Sequence, residues 1–363
     1  MELTEIIRQR IRKEGPVSFH DFMEMALYHP EQGYYMAAQD KIGKSGDFYT
    51  SSNLGPVFGA MIGRQLEEMW HLTGENEFTV VEYGAGTGVL CHDILDYLKN
   101  NLQLYNQLHY AIIEKSPAMR EKEKMHLHEK VDWYDSIQDL PDITGCIISN
   151  ELVDNFPVHQ VMMEDELMEV FVDYRNGFVE LLKPAPEEIK AYLSDLNVIL
   201  PQGFRAEVNL EATQWIAAIA ASLKKGYVMT IDYGYAAEDL YKPCRSQGTL
   251  LCYHHHQVND QPYQHVGKQD ITAHVNFSAL CHWGLRSGLT CCGLTSQAQF
   301  LLALGFKEYL RTTAAQTGNI MQLAMDEVML THTLLVDMGS KFKVLIQQKG
   351  MAGTEQLSGL KLS

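Results

Sequence analysis

Residues 78–88 read FTVVEYGAGTG, a six-residue apolar-rich run from Phe78 to Tyr83 followed at once by Gly84-Ala85-Gly86-Thr87-Gly88. A short apolar run closed by glycines reads as a strand buried on both faces. Such strands belong to parallel sheets, whose two faces are both covered by helices. Downstream, VLCHDILDYLKNN (89–101) has helical spacing, HYAIIE (109–114) reads as a second strand and SPAMREKEKMHLHE (116–129) as a helix. VDWYD (131–135) is a short strand and GCIISN (145–150) a fourth. Strands alternating with helices predict an α/β fold with a parallel, doubly wound sheet.

On the N-terminal side the texture is helical. Ile6, Ile7 and Ile11, then Phe19, Phe22, Met23, Met25 and Ala26, recur at helical spacing. Gly15-Pro16 breaks the run, and Ser18 is placed to cap the second of these helices. A polar loop, DKIGKSGDFYTSSNLG (40–55), leads to Pro56, which opens a helix through Trp70 whose Gly59 and Gly63 allow close packing. Beyond residue 157, VHQVMM, LMEVFVDY and FVELL are separated only by Glu164-Asp165-Glu166 and Arg175-Asn176-Gly177, which predicts an antiparallel meander. The α/β pattern returns with a helix over 210–224 and the strand YVMTID (227–232). Residues 234–275 read as loop, rich in His and Tyr. A helix near 277–287, a strand near 289–294, a helix near 296–304 and a last strand FKVLIQQ (342–348) complete the pattern.

With 363 residues, 46% of them hydrophobic, the chain can bury a full core. Its 29 Lys and Arg stand against 46 Asp and Glu, a net charge of -17. That balance argues against nucleic acid as a partner, because such affinity comes from cations releasing phosphate counterions. A basic protein or a small molecule fits better. The seven cysteines (91, 146, 244, 252, 281, 291, 292) are odd in number and never spaced C-x-x-C, so they read as free thiols in a reducing compartment. No run approaches eighteen apolar residues, and the charged start MELTEIIRQRIRKEG does not resemble a secretory signal. These features predict a soluble cytoplasmic chain with no membrane partner.

The glycine loop is Glu82-x-Gly84-x-Gly86-x-Gly88, between a strand and a helix. Glycines there let backbone approach a ligand, and the helix N-terminus offers N–H groups to it. A nucleotide P-loop is excluded: the one Gly-Lys-Ser (43–45) lacks the glycine five residues before Gly43 and follows no strand. A dinucleotide fingerprint needs Gly or Ala after Gly88, and Val89 stands there. The remaining pattern is that of sites holding S-adenosylmethionine, though taken alone it also fits a turn that merely packs tightly. Its surroundings favour a ligand. Glu114 ends the second strand, where a carboxylate accepts from ribose hydroxyls. Asp135-Ser136 ends the third, in position for an adenine amino group, and Asn150-Glu151 ends the fourth. Polar groups at successive strand C-termini mark the ligand edge of an open α/β sheet.

These residues resemble the MidA-type methyltransferases. The resemblance spans nearly the whole chain and rests on Ser45-Gly46-Asp47-Phe48-Tyr49-Thr50, the Glu82–Gly88 loop, Asn150-Glu-Leu-Val-Asp-Asn-Phe-Pro-Val-His159, Asp232-Tyr-Gly234, Gly248-Thr-Leu-Leu-Cys-Tyr253 and Asp270-Ile-Thr-Ala-His-Val275. The mitochondrial members of that family assist respiratory complex I assembly by methylating an arginine on one of its subunits. The resemblance implies a class I methyltransferase, Rossmann-like sheet with an N-terminal helical cap and an inserted, partly antiparallel and loop-rich substrate region. The expected organisation is a cap over 1–75 with a lid loop at 40–55, a cofactor-binding core over 76–157 and an inserted meander over 158–205. The core resumes over 206–233, a loop-rich substrate region fills 234–275, the core finishes over 276–348, and 349–363 form a tail. The candidate cofactor set is Gly46, Asp47 and Thr50 from the lid, Glu82, Gly84, Ala85, Gly86 and Gly88 from the loop, then Glu114, Ser116, Asp135, Ser136, Asn150 and Glu151.

If the acceptor is arginine, its guanidinium keeps its protons near neutrality, so carboxylates must fix the ion and bias its charge away from the attacking nitrogen. Glu151 and Asp154 are the candidates, with Asp232 and His274 next; the plainer reading is that they stiffen this loop or that Glu151 touches the cofactor. His254, His255, His256, His265, His274 and Cys252 lack the paired spacing of a metal site, and no metal is expected. A small-molecule methyltransferase and a cofactor-binding assembly chaperone without turnover are the alternatives to an enzyme acting on a protein arginine.

Overall fold

The expected first strand forms as Phe78–Tyr83, and the computed structural model describes residues 2–36, 51, 55–127, 129–317, 328–351, 353 and 356–361 around it. Two compact units divide the chain. One comprises Tyr49–Leu152, Ala217–Tyr233 and Gly284–Ser363, the other Met1–Phe48, Val153–Ile216 and Gly234–Trp283.

The first unit holds the large sheet. Its strands are β1 (Phe78–Tyr83), β2 (Leu108–Ile113), β3 (Val131–Tyr134), β4 (Ile143–Asn150), β5 (Leu223–Tyr235), β6 (Thr290–Ser296) and β7 (Phe342–Lys349). They lie in the order β6-β7-β5-β4-β1-β2-β3. The doubly wound arrangement expected from the alternation is therefore present, with one difference. β7 runs antiparallel to both neighbours, β5 and β6. Strand direction at that end depends on which helices intervene, and the helix Phe306–Thr317 between β6 and β7 carried no signal that the sequence reading used.

Helix α1 (Pro56–Thr73) starts at a proline and ends at Gly74 in the left-handed conformation. It packs closely on α2 (Val89–Leu98): a Cβ at Gly59 would lie 2.4 Å from Asp93 Cβ, and one at Gly63 2.7 Å from the Tyr97 ring. The helix expected over 89–101 stops at Leu98, because Asn101 instead caps a separate helix, Leu102–Gln107, by accepting the Leu104 N–H. Helix α3 (Pro117–His126) follows β2, capped by Ser116. Trp70, Phe58, Tyr110, Ile112, Ile148, Met229, Phe300 and Ile346 belong to one apolar core around this sheet.

In the other unit, Leu3–Glu14 and Phe19–Tyr28 are helices, and Ser18 Oγ accepts the Asp21 N–H at 3.1 Å as the sequence suggested. His159–Met163, Leu167–Tyr174 and Phe178–Pro184 form the expected antiparallel meander. The stretch expected to be loop from 234 to 275 contains a small sheet of Leu251–His254, Gln257–Asn259 and Asp270–Thr272. Its hairpin turns through His255 and His256 at φ 48° and 60°, so no Asn-Gly or Asp-Gly marks it. All seven cysteines are free thiols. Among the described residues no helix is long and apolar enough to cross a membrane.

Ile148 lies wholly buried in the middle of β4. Ile148→Ala should cost about 2–5 kcal/mol through lost transfer energy and a residual cavity. Urea unfolding should show a lower midpoint with an unchanged slope; an unaltered midpoint would mean that this core does not hold the sheet.

Candidate functional site

Strand register lines up the candidate residues. Tyr83 is level with Ile113 on one side and with Ser149 on the other, and Ile113 is level with Tyr134. The next residue of each chain is then Gly84, Glu114, Asp135 and Asn150, so the sequence-predicted strand ends stand in one row. Strand order reverses between β1 and β4, the point where open α/β sheets bind ligands beyond the strand C-termini. From β3 to β4 there are three inter-strand steps, roughly 14 Å, enough for an extended nucleoside with its side chain.

The glycine loop is built as a cradle. Gly84, Gly86 and Gly88 all have positive φ, 64°, 60° and 78°. A Cβ at Gly84 would come within 2.9 Å of Leu152, and one at Gly88 within 3.0 Å of Leu127. Gly84 N–H donates to Ile113 O and Gly88 N–H to Ala85 O. Among the described residues the N–H groups of Ala85, Gly86 and Thr87 donate to no backbone or side-chain acceptor. They lie at the start of α2, whose N-cap Gly88 supplies no side-chain cap, and N–H groups at such a helix start can take a ligand. Glu82 lies beneath this loop, 3% exposed, accepting the Tyr110 hydroxyl at 2.6 Å. Burial pushes its carboxyl up to about 7, against the lowering effect of that hydrogen bond.

Glu114 Oε1 accepts the Ser116 N–H at 2.6 Å. Burial raises its pKa, while the N–H bond and the Arg120 guanidinium lower it. Ser116 Oγ faces the Met119 N–H as the cap of α3, and Ser136 Oγ accepts the Gln138 N–H in a capping box with Asp139. Asp135 is an ion-pair partner of Arg120 at 2.7 Å. Arg120 was not singled out in the sequence, where it is one of several charges in the helix Pro117–His126.

On the fourth strand, Asn150 Nδ2 donates to Glu151 Oε1 at 3.2 Å, and Asn150 Oδ1 is buried with no partner among the described residues. Glu151 sits in the left-handed region at φ 52°, its N–H bonded to Ile231 O and its Oε1 accepting the Ser51 N–H at 2.9 Å. A non-glycine residue held there is strained, and such strain clusters at functional sites. Asp232, wholly buried on β5, accepts the Leu152 N–H at 3.2 Å and so pins the start of the 150s loop. In the other unit, Asp154 is 4% exposed and accepts from Asn155 Nδ2 at 3.0 Å, while Asn155 Oδ1 accepts the Tyr35 hydroxyl. His274 is held down at about 4 by burial, then by Arg245, and is neutral near pH 7. Gly46, Asp47 and Thr50 lie outside the described residues. His254 stacks on His265 at 4.3 Å, and among the described residues no group of three or more His, Cys, Asp or Glu could hold a metal ion.

Comparison with known proteins agrees with this fold. A family model for S-adenosyl-L-methionine-dependent methyltransferases matches residues 61–295. A Burkholderia thailandensis protein solved with S-adenosyl-homocysteine bound is 30% identical, with a TM-score of 0.86 over 98% of this chain and 94% of that one. A native crystal structure from the same organism gives 0.84 at 30% identity, over 99% and 94%. Curated relatives include the Drosophila melanogaster protein arginine methyltransferase NDUFAF7 homolog, mitochondrial, 26% identical over 96% of this chain and 85% of its own length. The Bos taurus protein arginine methyltransferase NDUFAF7, mitochondrial, is 26% identical over 93% and 81%.

Glu114→Ala removes the carboxylate at the end of the second strand, the candidate acceptor for the ribose hydroxyls. Calorimetry with S-adenosyl-homocysteine should show at least about a tenfold loss of affinity, since charge-assisted hydrogen bonds contribute about 1.5–3 kcal/mol each. An unchanged dissociation constant in the folded variant removes Glu114 from the site. Glu82 gives a pH test. Its carboxyl, shifted from an ordinary 4.5 to about 7, stays protonated in the fold where the unfolded chain has released the proton. Stability should therefore fall as pH rises from about 4.5 to about 7, and Glu82→Gln should flatten that slope in urea unfolding.

Proposed function

We infer that this chain, which belongs to the family of S-adenosyl-L-methionine-dependent methyltransferases, transfers the methyl group to an arginine side chain of a protein. The observation that carries the acceptor reading is the carboxylate pair on the 150s loop. Glu151 is held strained at the end of β4, next to the reversal of strand order, and Asp154 follows three residues later. The names of the curated relatives support the same acceptor. The acidic balance of the chain, net -17, suits a cationic segment approaching it.

S-adenosylmethionine, when bound, supplies a methyl group on a sulfonium, open to in-line displacement. The glycine loop would hold its amino-acid end against the Ala85, Gly86 and Thr87 N–H groups, Glu114 its ribose, and Asp135 its adenine amino group. The chain then has two tasks at the acceptor. One is orientation: the guanidinium must present one nitrogen along the line of the sulfur–methyl bond, and two carboxylates on a short loop restrict its rotation. The other is charge. As the nitrogen–methyl bond forms and the sulfur–methyl bond breaks, the attacking nitrogen gains positive character and must lose a proton. Glu151 and Asp154 would draw the cation's charge toward the other nitrogens beforehand and accept the proton afterwards.

The expected result with labelled S-adenosylmethionine and host lysate is label in protein, recovered on hydrolysis as methylated arginine. Label confined to small molecules would sink the protein-arginine reading. Asp154→Asn keeps shape and removes charge, so it should abolish transfer while leaving S-adenosyl-homocysteine affinity within about twofold, since an interaction made only in the transition state shows in turnover and not in cofactor binding. Full activity of that variant on an arginine-containing protein would move the acceptor chemistry elsewhere, with Asp232 the next residue to change.

A further inference from the structure

We propose that α3 is the spacer of the nucleoside end of the site, with Arg120 and Glu123, one helical turn apart, as positioning residues that fix Asp135 relative to Glu114. The inference rests on the reading of Glu114 as the ribose acceptor and Asp135 as the adenine contact.

The need for a spacer comes from the sheet. β3 has four residues and, among the described residues, is the last strand of the sheet, paired only with β2. It has half the ladder of an interior strand, and the chain bends directly after it at Asp135. Three consecutive residues at its end are instead tied to α3. Trp133 Nε1 donates to Glu123 Oε2 at 2.7 Å. Arg120 Nη2 donates to Tyr134 O at 3.2 Å and to Asp135 Oδ1 at 2.7 Å. The same nitrogen donates to Glu114 O at 2.8 Å, so one guanidinium corner joins the ends of β2 and β3. The helix is in turn anchored to Glu114, whose Oε1 holds the Ser116 N–H at its start.

Magnitudes separate the bonds. Asp135 is 87% exposed, and an ion pair with an exposed carboxylate contributes little. The two backbone carbonyls matter more, because charge-assisted hydrogen bonds to fixed main chain hold position as well as energy. Glu123 points the same way. It is wholly buried, and its Oε1 has no partner among the described residues. A buried carboxyl with an orphan oxygen costs stability that an apolar side chain would not. The group that it holds is the indole of Trp133, two residues before the adenine contact. Burial, then the neighbouring Glu114 carboxylate, pushes the Glu123 carboxyl up to about 8, so near neutrality it grips Trp133 without setting a second charge against Glu114.

The test uses the full chain, with calorimetry against S-adenosyl-homocysteine and against adenosine, and thermal unfolding without ligand. Arg120→Met keeps the apolar stem and removes the donors; it should lose about tenfold in affinity for both ligands by the same factor. Glu123→Gln, which keeps an acceptor for Trp133, should bind both as the wild type does, and Glu123→Met should lose several-fold. If Arg120→Met unfolds, the Glu123 pair decides, since both variants fill the same volume. A lower melting temperature with adenosine affinity unchanged in the folded variants would overturn the proposal and leave α3 a merely structural helix. Glu114→Ala, measured alongside, keeps the two ideas apart. Loss there without loss in Arg120→Met refutes the spacer alone, whereas unchanged adenosine binding in Glu114→Ala refutes the ribose reading and the spacer with it.

Discussion

The hydrogen-bond ladder through β2, β1 and β4 constrains everything that surrounds it. Val80 and Val81 are both fully buried, so β1 has an apolar residue on each face and neither face can turn to water. A slip of one residue would exchange the two faces and carry Gly84 out of line with Glu114 and Asn150. Parallel pairing from Phe78 opposite Leu108 to Tyr83 opposite Ile113, and on the other side from Thr79 opposite Gly145 to Tyr83 opposite Ser149, leaves one way to assemble the strand ends. The positions of the glycine loop, Glu114 and the strained Glu151 are consequences of where that ladder stops. Their side chains add chemistry to positions that the backbone has already set.

This explains which parts of the site were legible in the sequence. The glycine loop, Glu114, Asp135 and Asn150 each announce themselves locally, as the first polar or glycine residues after an apolar run, and local patterns survive without knowledge of packing. Arg120 and Glu123 do not. On the sequence they are two charges in a highly charged helix, and their part emerges only when α3 lies against the end of β3 and Trp133 turns its indole toward them. The same holds for the small sheet at 251–272, whose hairpin turns through histidines in the left-handed region instead of through glycine. The antiparallel sense of β7 was hidden for another reason, because FKVLIQQ reads the same whichever way it runs. Asp154 shows the limit from the other side. Sequence position sets it near Glu151, while the details of its surroundings, Asn155 and behind it Tyr35, belong to residues far away in the chain.

The place of β7 also bears on how the chain is made. It is the last strand of this sheet to leave the ribosome, yet it lies inside the sheet, between β5 and β6. Among the described residues β6 pairs with β7 alone, from Thr290 opposite Gln348 to Ser296 opposite Lys343. Until Lys349 has been synthesised, β6 has no sheet to join and the edge of β5 from Gly226 to Tyr233 stands open. At about 5–20 residues per second this interval lasts several seconds, during which an apolar strand edge can template pairing with another nascent chain. A message cut short before residue 342 would therefore yield a sheet with a gap in its interior rather than a smaller domain, and quality control would meet it as an aggregation-prone intermediate.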